Sequence, residues 1–254
     1  MRKLSAALAV ILAASAARGE WKLISTQSEL SSAKGLEHRY VVVEDSTSGE
    51  RASLELAVFS TKAVRLRVVD QSDGPRLDLA EVMRAGKYLA GVNGGYFDPD
   101  YQPIGLLIVD GTIVSPLQRA RLLSGVLSSA GGKVQIWRFN EFPRQQKFDA
   151  AIGCGPMVVD LAKPVRGLES TRGARRTFAA VERGDRAAIG FCSEVSLADL
   201  SGILASGIGD FKIQRALNFD GGSSSAFWFK RKDGSAFSIS EQKSVRDFVG
   251  IVPK

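Results

Sequence analysis

The 254-residue chain has one histidine, His38, and two cysteines, Cys154 and Cys192. A single imidazole excludes zinc motifs and mechanisms built on paired histidines, and leaves His38 as the sole base for a serine triad. Two cysteines exclude a four-cysteine zinc site and a multi-bridge disulfide scaffold. They leave at most one disulfide, which depends on an α-carbon spacing that sequence does not supply. No uncharged stretch approaches the roughly 20 residues of a spanning helix. The dense Lys/Arg stripe of a dedicated nucleic-acid binder is missing, as are fixed-period repeats and low-complexity tracts. What is present is a globular balance of 44% hydrophobic and 24% charged residues, enough for one sizeable core.

The first residues read as an export signal. Arg2 and Lys3 precede the uncharged stretch Leu4 to Ala17, and small residues offer cut points after Ala16 and after Gly19. The expected organisation is a signal peptide over 1–19 and one continuous domain over 20–254, delivered to the periplasm or secreted. Residues 20–254 keep 31 basic and 27 acidic side chains, a net of +4, a mild basicity that suits anionic ligands. Outside the cytoplasm Cys154 and Cys192 could be oxidised to each other.

Short apolar runs of strand length recur along the domain, among them Leu54–Phe59, Val64–Val69, Met157–Val159, Phe178–Val181, Ala187–Cys192 and Phe248–Val252. The alternation in Ser53-Leu54-Glu55-Leu56 and Val64-Arg65-Leu66-Arg67-Val68 is that of half-solvated antiparallel strands. Two segments predict helices: one capped by Asp78 and stopped by Gly86, the other opened by Ser196-Leu197-Ala198-Asp199 and stopped by Gly207. Each precedes a strand that runs into paired glycines, Asn93-Gly94-Gly95 and Asp220-Gly221-Gly222, so one helix-strand-glycine unit is used twice. Asn140–Asp149 and Lys163–Arg176 read as loops. The fold expected is α+β, a single domain on a mixed, mostly antiparallel sheet with a few packed helices.

Paired glycines at a strand end allow positive φ or close approach to a ligand, and at the first unit they present Asn93. At the second, Gly221 and Gly222 and the hydroxyls Ser223, Ser224 and Ser225 follow Asp220, a carboxylate beside N–H groups able to bind oxyanions. Tight turns are the commoner use of such residues, and both uses stay open. Gly155-Pro156 before an apolar run, Arg175-Arg176-Thr177 before Phe178, and Arg246 near the last strand complete the candidates; a guanidinium matches phosphate bidentately. His38, between Glu37 and Arg39, reads as surface structure. A serine hydrolase lacks the Gly-x-Ser-x-Gly elbow.

In order, Asn93-Gly94-Gly95-Tyr96-Phe97, Pro103-Ile104-Gly105-Leu106 with Asp110-Gly111, Gly155-Pro156, Arg176-Thr177, Asp220-Gly221-Gly222-Ser223-Ser224-Ser225 and Arg246 resemble the phosphodiester glycosidase domain family. The likeness is to its short single-domain bacterial, uncovering-enzyme-like type, and runs over residues 78–252. The family pattern carries a third glycine where Ser223 stands and an aliphatic residue where Phe219 stands.

The resemblance implies hydrolysis of a sugar-1-phosphodiester, for example of N-acetylglucosamine, at the anomeric C–O bond, giving free sugar and a phosphomonoester. Phosphate leaves more readily than a sugar alkoxide, so the acid of ordinary glycosidases matters less. What remains needed is one carboxylate and donors for the departing phosphate. On this reading Asp220 is the carboxylate, the N–H groups of Gly221 to Ser224 with Arg176 and Arg246 take the phosphate, and Asn93 meets a sugar hydroxyl or acetamido group. Gly94, Gly95, Tyr96, Gly155 and Thr177 line the substrate, and Tyr96 is the preferred stacking ring over Phe97, Tyr101 and Trp228. Attack by the substrate's own acetamido group is also open. No cofactor is required; Asp98, Asp100 and Asp110 are oxygen ligands that could contribute to a calcium site without EF-hand spacing. The partner expected is a phosphorylated saccharide or glycoconjugate, such as an envelope or exopolysaccharide glycan, with no nucleic acid. The rival reading is a non-catalytic envelope protein that binds an anionic glycan.

Overall fold

The computed structural model describes residues 20–72 and 74–254, so the export signal expected over 1–19 lies outside the described residues. The chain opens with β1 (Trp21–Leu30), β2 (Leu36–Asp45), β3 (Arg51–Ser60) and β4 (Val64–Asp70), then passes through α1 (Leu79–Ala85) into β5 (Ala90–Asn93). Short strands fill the middle: β6 (Leu107–Val109), β7 (Thr112–Ser115), β8 (Gly125–Ala130), β9 (Lys133–Arg138), β10 (Ala150–Cys154), β11 (Met157–Asp160) and β12 (Lys163–Pro164). The last third holds β13 (Ala174–Val181), β14 (Arg186–Val195), α2 (Leu197–Ser206), β15 (Arg215–Asn218), β16 (Phe227–Lys230), β17 (Ala236–Ile239) and β18 (Asp247–Pro253).

Three sheets result, ordered β1-β2-β3-β14-β13-β15-β11-β12, β7-β6-β10-β8-β9 and β17-β16-β5-β18-β4. The expected α+β class holds, with three sheets where one was expected. Every ladder between these strands is antiparallel, and the repeated helix-strand unit explains why. α1 carries the chain from β4 to β5 in the same direction, and β18 inserts between them; α2 carries it from β14 to β15, and β13 inserts between those. Each crossover is thus a split βαβ unit whose central strand is antiparallel to both neighbours. Both helices end where their caps predict. The Asp78 carboxylate accepts the Glu81 N–H at 2.7 Å while Glu81 accepts the Asp78 N–H at 2.9 Å, and Ser196 Oγ accepts the Asp199 N–H at 3.1 Å.

Side chains from all three sheets meet in one core, including Phe59, Val92, Ile152, Leu217 and Phe227. α1 seals one side with Leu79 and Met83, and α2 the other with Leu200, Ile203 and Leu204. The loop expected over Lys163–Arg176 is interrupted: β12 forms at its start, and Arg175 and Arg176 lie inside β13.

His38 is not the surface residue expected. It is 6% exposed, faces Glu29 across the β1–β2 ladder, and stacks against Phe229 and Phe237 from the third sheet. Its Nδ1 lies 2.9 Å from Glu29 Oε1 and its Nε2 2.7 Å from Glu55 Oε2, while Arg231 reaches Glu29 at 3.1 Å. Burial alone would push the imidazole pKa down, but the two carboxylates that accept its hydrogen bonds outweigh burial and raise it. A raised histidine pKa contributes stability that is complete below the unfolded value of about 6.5 and is lost as pH rises through the folded value. The lone imidazole should therefore titrate above 6.5 by NMR, the urea midpoint should fall across that titration, and Glu29→Gln should lower it. A titration at or below 6.5 would contradict the network.

Candidate active site

The two glycine turns meet. Asn93, at the tip of β5, is fully buried; its amide N–H donates to the Asp220 carbonyl at 2.7 Å, and its amide oxygen accepts the Ala226 N–H at 3.1 Å. In return the Asp220 N–H donates to the Gly94 carbonyl at 3.1 Å. Both ends of the Asn93 side chain are engaged by backbone, and Asn93 is the joint between the turns. Gly94 has to be glycine because a Cβ there would stand 1.9 Å from Asp247 Oδ1. Asp247 holds the same turn twice, its carbonyl accepting the Gly94 N–H at 2.9 Å and its carboxylate the Gly95 N–H at 2.7 Å.

Beyond Asp220 the chain makes one 3-10 turn, Gly222–Ser224, closed by the N–H groups of Ser224 and Ser225, which leaves those of Gly222 and Ser223 outside the turn's own bonds. The positive φ, +64°, falls on Gly222. Ser223 therefore takes its place in the turn without backbone strain. The half-buried Asp220 carboxylate accepts the Ser224 hydroxyl. Burial raises its pKa, against the opposing pull of that hydroxyl, the Lys243 ammonium and the Gly221 N–H. A carboxylate in such a setting is suited to proton transfer nearer neutrality.

Arg176 flanks the same turn. Its Nε donates to the Val195 carbonyl and its Nη2 to the Arg172 carbonyl, both at 2.9 Å, and Nη1 lies 3.8 Å from where a Cβ on Gly221 would stand. Opposite, Tyr96 is half-buried and donates its hydroxyl to the Gly155 carbonyl at 2.6 Å; burial raises its pKa far above the ordinary value. Asn218 donates to that carbonyl at 3.1 Å. Three buried side-chain oxygens on flanking residues, Thr177 Oγ1, Asn218 Oδ1 and Ser225 Oγ, have no protein partner. Buried polar atoms seldom go unpaired, so each calls for a water or ligand atom.

Asp220, Gly221, Gly222, Ser223, Ser224, Arg176, Tyr96, Gly94, Gly95, Gly155 and Thr177 thus converge. Arg246 does not join them as a phosphate donor. It is buried and grips Asp70 with two nitrogens, at 2.5 and 3.1 Å, and the Tyr101 carbonyl with the third at 2.6 Å. In this arrangement it braces the end of β4 beside β18. Trp228 and Tyr101 are core residues rather than open stacking rings. The acids weighed for calcium are dispersed: Asp110 is paired with Arg67 at 3.1 Å and Asp98 accepts the Gln102 N–H at 2.8 Å. No group of three metal-ligating side chains forms among the described residues. Cys154 and Cys192 are free and buried, and burial pushes the Cys192 thiol up to about 12.

Sequence reasoning missed Asp247, Asn218 and Lys243. Asp247 opens an otherwise apolar strand, a conflict with burial that was there to be noticed. Lys243, exposed and 5.3 Å above the Phe97 ring, is placed near Asp220 only by the path of the β17–β18 loop.

The family model for phosphodiester glycosidases matches residues 86–252. The chain belongs to the phosphodiester glycosidase family. The uncharacterized Escherichia coli K12 protein YigE is 32% identical over 89 residues, 32% of this chain and 35% of that protein, so the match spans about a third of that relative's length. The catalytic domain of zebrafish N-acetylglucosamine-1-phosphodiester alpha-N-acetylglucosaminidase, auto-inhibited by its pro-peptide, superposes with a TM-score of 0.68 at 15% identity, covering 91% of this chain and 89% of that one. A hypothetical protein from Synechocystis superposes at 0.63 and 15% identity, covering 87% and 62%. At these identities the likeness to the solved structures is one of fold.

Burial, only partly offset by the hydrogen bond from the Gly95 N–H, pushes Asp247 up to about 7, with the charges of Asp70 and Asp220 adding to the shift and Arg246 opposing it. The folded state then holds a proton that the unfolded state has released, so this group's contribution to stability falls as pH rises from about 4 to about 7. Asp247→Asn keeps an acceptor for Gly95 and removes the titration. Its unfolding free energy from urea melts should gain on wild type across that window, by about 1.4 kcal/mol per pH unit; parallel curves for the two proteins would refute the assignment.

Proposed function

We propose that the protein cleaves a sugar-1-phosphodiester, such as one of N-acetylglucosamine, at the anomeric C–O bond, releasing free sugar and a phosphomonoester. The observation that carries this reading is the convergence at one turn of a half-buried carboxylate, Asp220, with the Nη1 of Arg176 beside Gly221 and the N–H groups of Gly222 and Ser223 outside the turn's own bonds. Asp220, its proton affinity raised by burial, takes a proton from the attacking water or supports the positive charge that builds at the anomeric carbon. The phosphate departs toward the arginine and the N–H groups, which are fixed before reaction and so act by preorganisation. Tyr96 offers a half-exposed ring to the sugar, and its hydroxyl is held on Gly155. The scheme has no step that needs a metal, and export through residues 1–19 would place the enzyme with envelope or extracellular glycans. No helix among the described residues is long and apolar enough to cross a membrane.

The decisive assay is release of free N-acetylglucosamine from a UDP-sugar or from a sugar-1-phosphate methyl ester, with and without chelator. Wild type should release sugar in both conditions. Asp220→Asn should lose turnover by about a hundredfold or more while keeping most of its ligand affinity. Arg176→Ala should weaken binding of phosphodiesters more than of neutral sugars. Full turnover by Asp220→Asn would sink the mechanism, and tight binding of a diester without any release by wild type would favour a glycan-binding role.

A further inference from the structure

A second feature lies at the other end of the strands that build the site. β18 begins at Asp247, beside Gly94, and ends at Val252 and Pro253, five residues on; β10 ends at Cys154 and begins at Ala150. Val252, Pro253 and Ala150 line a cleft of about 810 Å³. At about 3.4 Å per residue, the two positions on β18 are about 17 Å apart.

The walls of this cleft are cationic. Arg65 and Arg67 are the alternate exposed residues of β4, Lys87 follows α1 in a left-handed conformation, and the Lys254 ammonium lies 3.2 Å from where a Cβ on Gly132 would stand. The two acids present are already held: Asp110 by Arg67, and Asp149 by the Gly131 N–H at 3.1 Å. Among the described residues Arg65, Lys87 and Lys254 form no ion pair. No aromatic side chain lines the cleft, so it lacks the stacking surface that binds neutral sugars or nucleobases. Charge is what it has to offer.

We propose that this cleft binds a polyanionic saccharide chain, holding a distant stretch of the same glycan whose phosphodiester reaches Asp220. The second half of that statement rests on the hydrolase reading; the binding itself does not. A single phosphodiester is too small to touch both places, whereas one chain can.

The test uses the full mature protein and sulfated dextran as the probe, with neutral dextran of equal length and inorganic phosphate as comparisons. Arg65→Glu/Lys87→Glu changes only exposed side chains. It should weaken sulfated-dextran binding by at least about tenfold at 0.1 M salt. Lys22→Glu/Lys34→Glu, which makes the same change of net charge elsewhere, should weaken it less than about twofold. Neutral dextran should bind to none of them. Hydrolysis of a small diester should be unchanged in the cleft variant. Equal binding by the cleft variant and wild type, equal losses in the two variants, or displacement of the dextran by inorganic phosphate at a concentration equal to that of the dextran's sulfate groups would each overturn the proposal. A failure of wild type to hydrolyse any diester would sink the hydrolase reading and leave the binding result standing.

Discussion

The carboxamide of Asn93 is the contact on which the rest of the site depends. It is buried where β5 of one sheet meets the turn that leaves β15 of another, and it donates to one backbone group and accepts from a second. Leaving either backbone group unpaired in the interior would cost about 1–3 kcal/mol. An aspartate could accept but not donate, and a leucine could do neither. The glycines around it follow from the same closeness: with Asp247 pressed against Gly94, there is no room for a side chain. The Asp220 carboxylate is therefore located by hydrogen bonds between sheets rather than by the loop that carries it.

This arrangement also divides labour among the charged groups. Arg246 and Asp70 are buried together and brace the end of β4; Arg176 is anchored by two nitrogens and keeps the third toward the turn. Asp70 and Asp220 both act on Asp247, and of these three acids only Asp70 has a guanidinium of its own. The remaining two are held by hydrogen bonds from hydroxyl and amide groups. Burial is then free to raise their proton affinity, which an arginine partner would have suppressed.

Much of the fold was legible because local signals and tertiary structure agree. Asp78 and Ser196 cap helices where their spacing says they should, and apolar runs such as Leu54–Phe59 and Phe248–Val252 become strands. The expected runs fail at the polar edge. β1 has nine of its ten residues outside the fully buried class, so its strand character comes from backbone pairing with β2 and leaves no hydrophobic trace. β8 and β10 are rich in alanine, serine and glycine and escaped notice for want of large side chains. At the site, the motif residues were found by kind, but the partners each would hold were not legible. Nothing in the order Arg246-Asp247 tells which of the two reaches a glycine turn and which turns away to Asp70; that choice is made by the ladder with β4. His38 was misjudged for a related reason, since the phenylalanines that bury it come from a strand pair nearly two hundred residues later.

The pairing of β4 has a kinetic corollary. Its one partner in its sheet is β18, with Asp70 opposite Asp247 and Val64 opposite Pro253, and β3 likewise waits for β14. Residues 51–70, which hold β3 and β4, cannot complete their sheets until later strands have been made. Chains whose contacts span such long loops fold slowly, because the entropy of closing the loop is lost before the contacts compensate it. A nascent chain of this protein thus completes these sheets only when its last strand has been made, and the joint between the two glycine turns closes with it, when β18 brings Asp247 to Gly94.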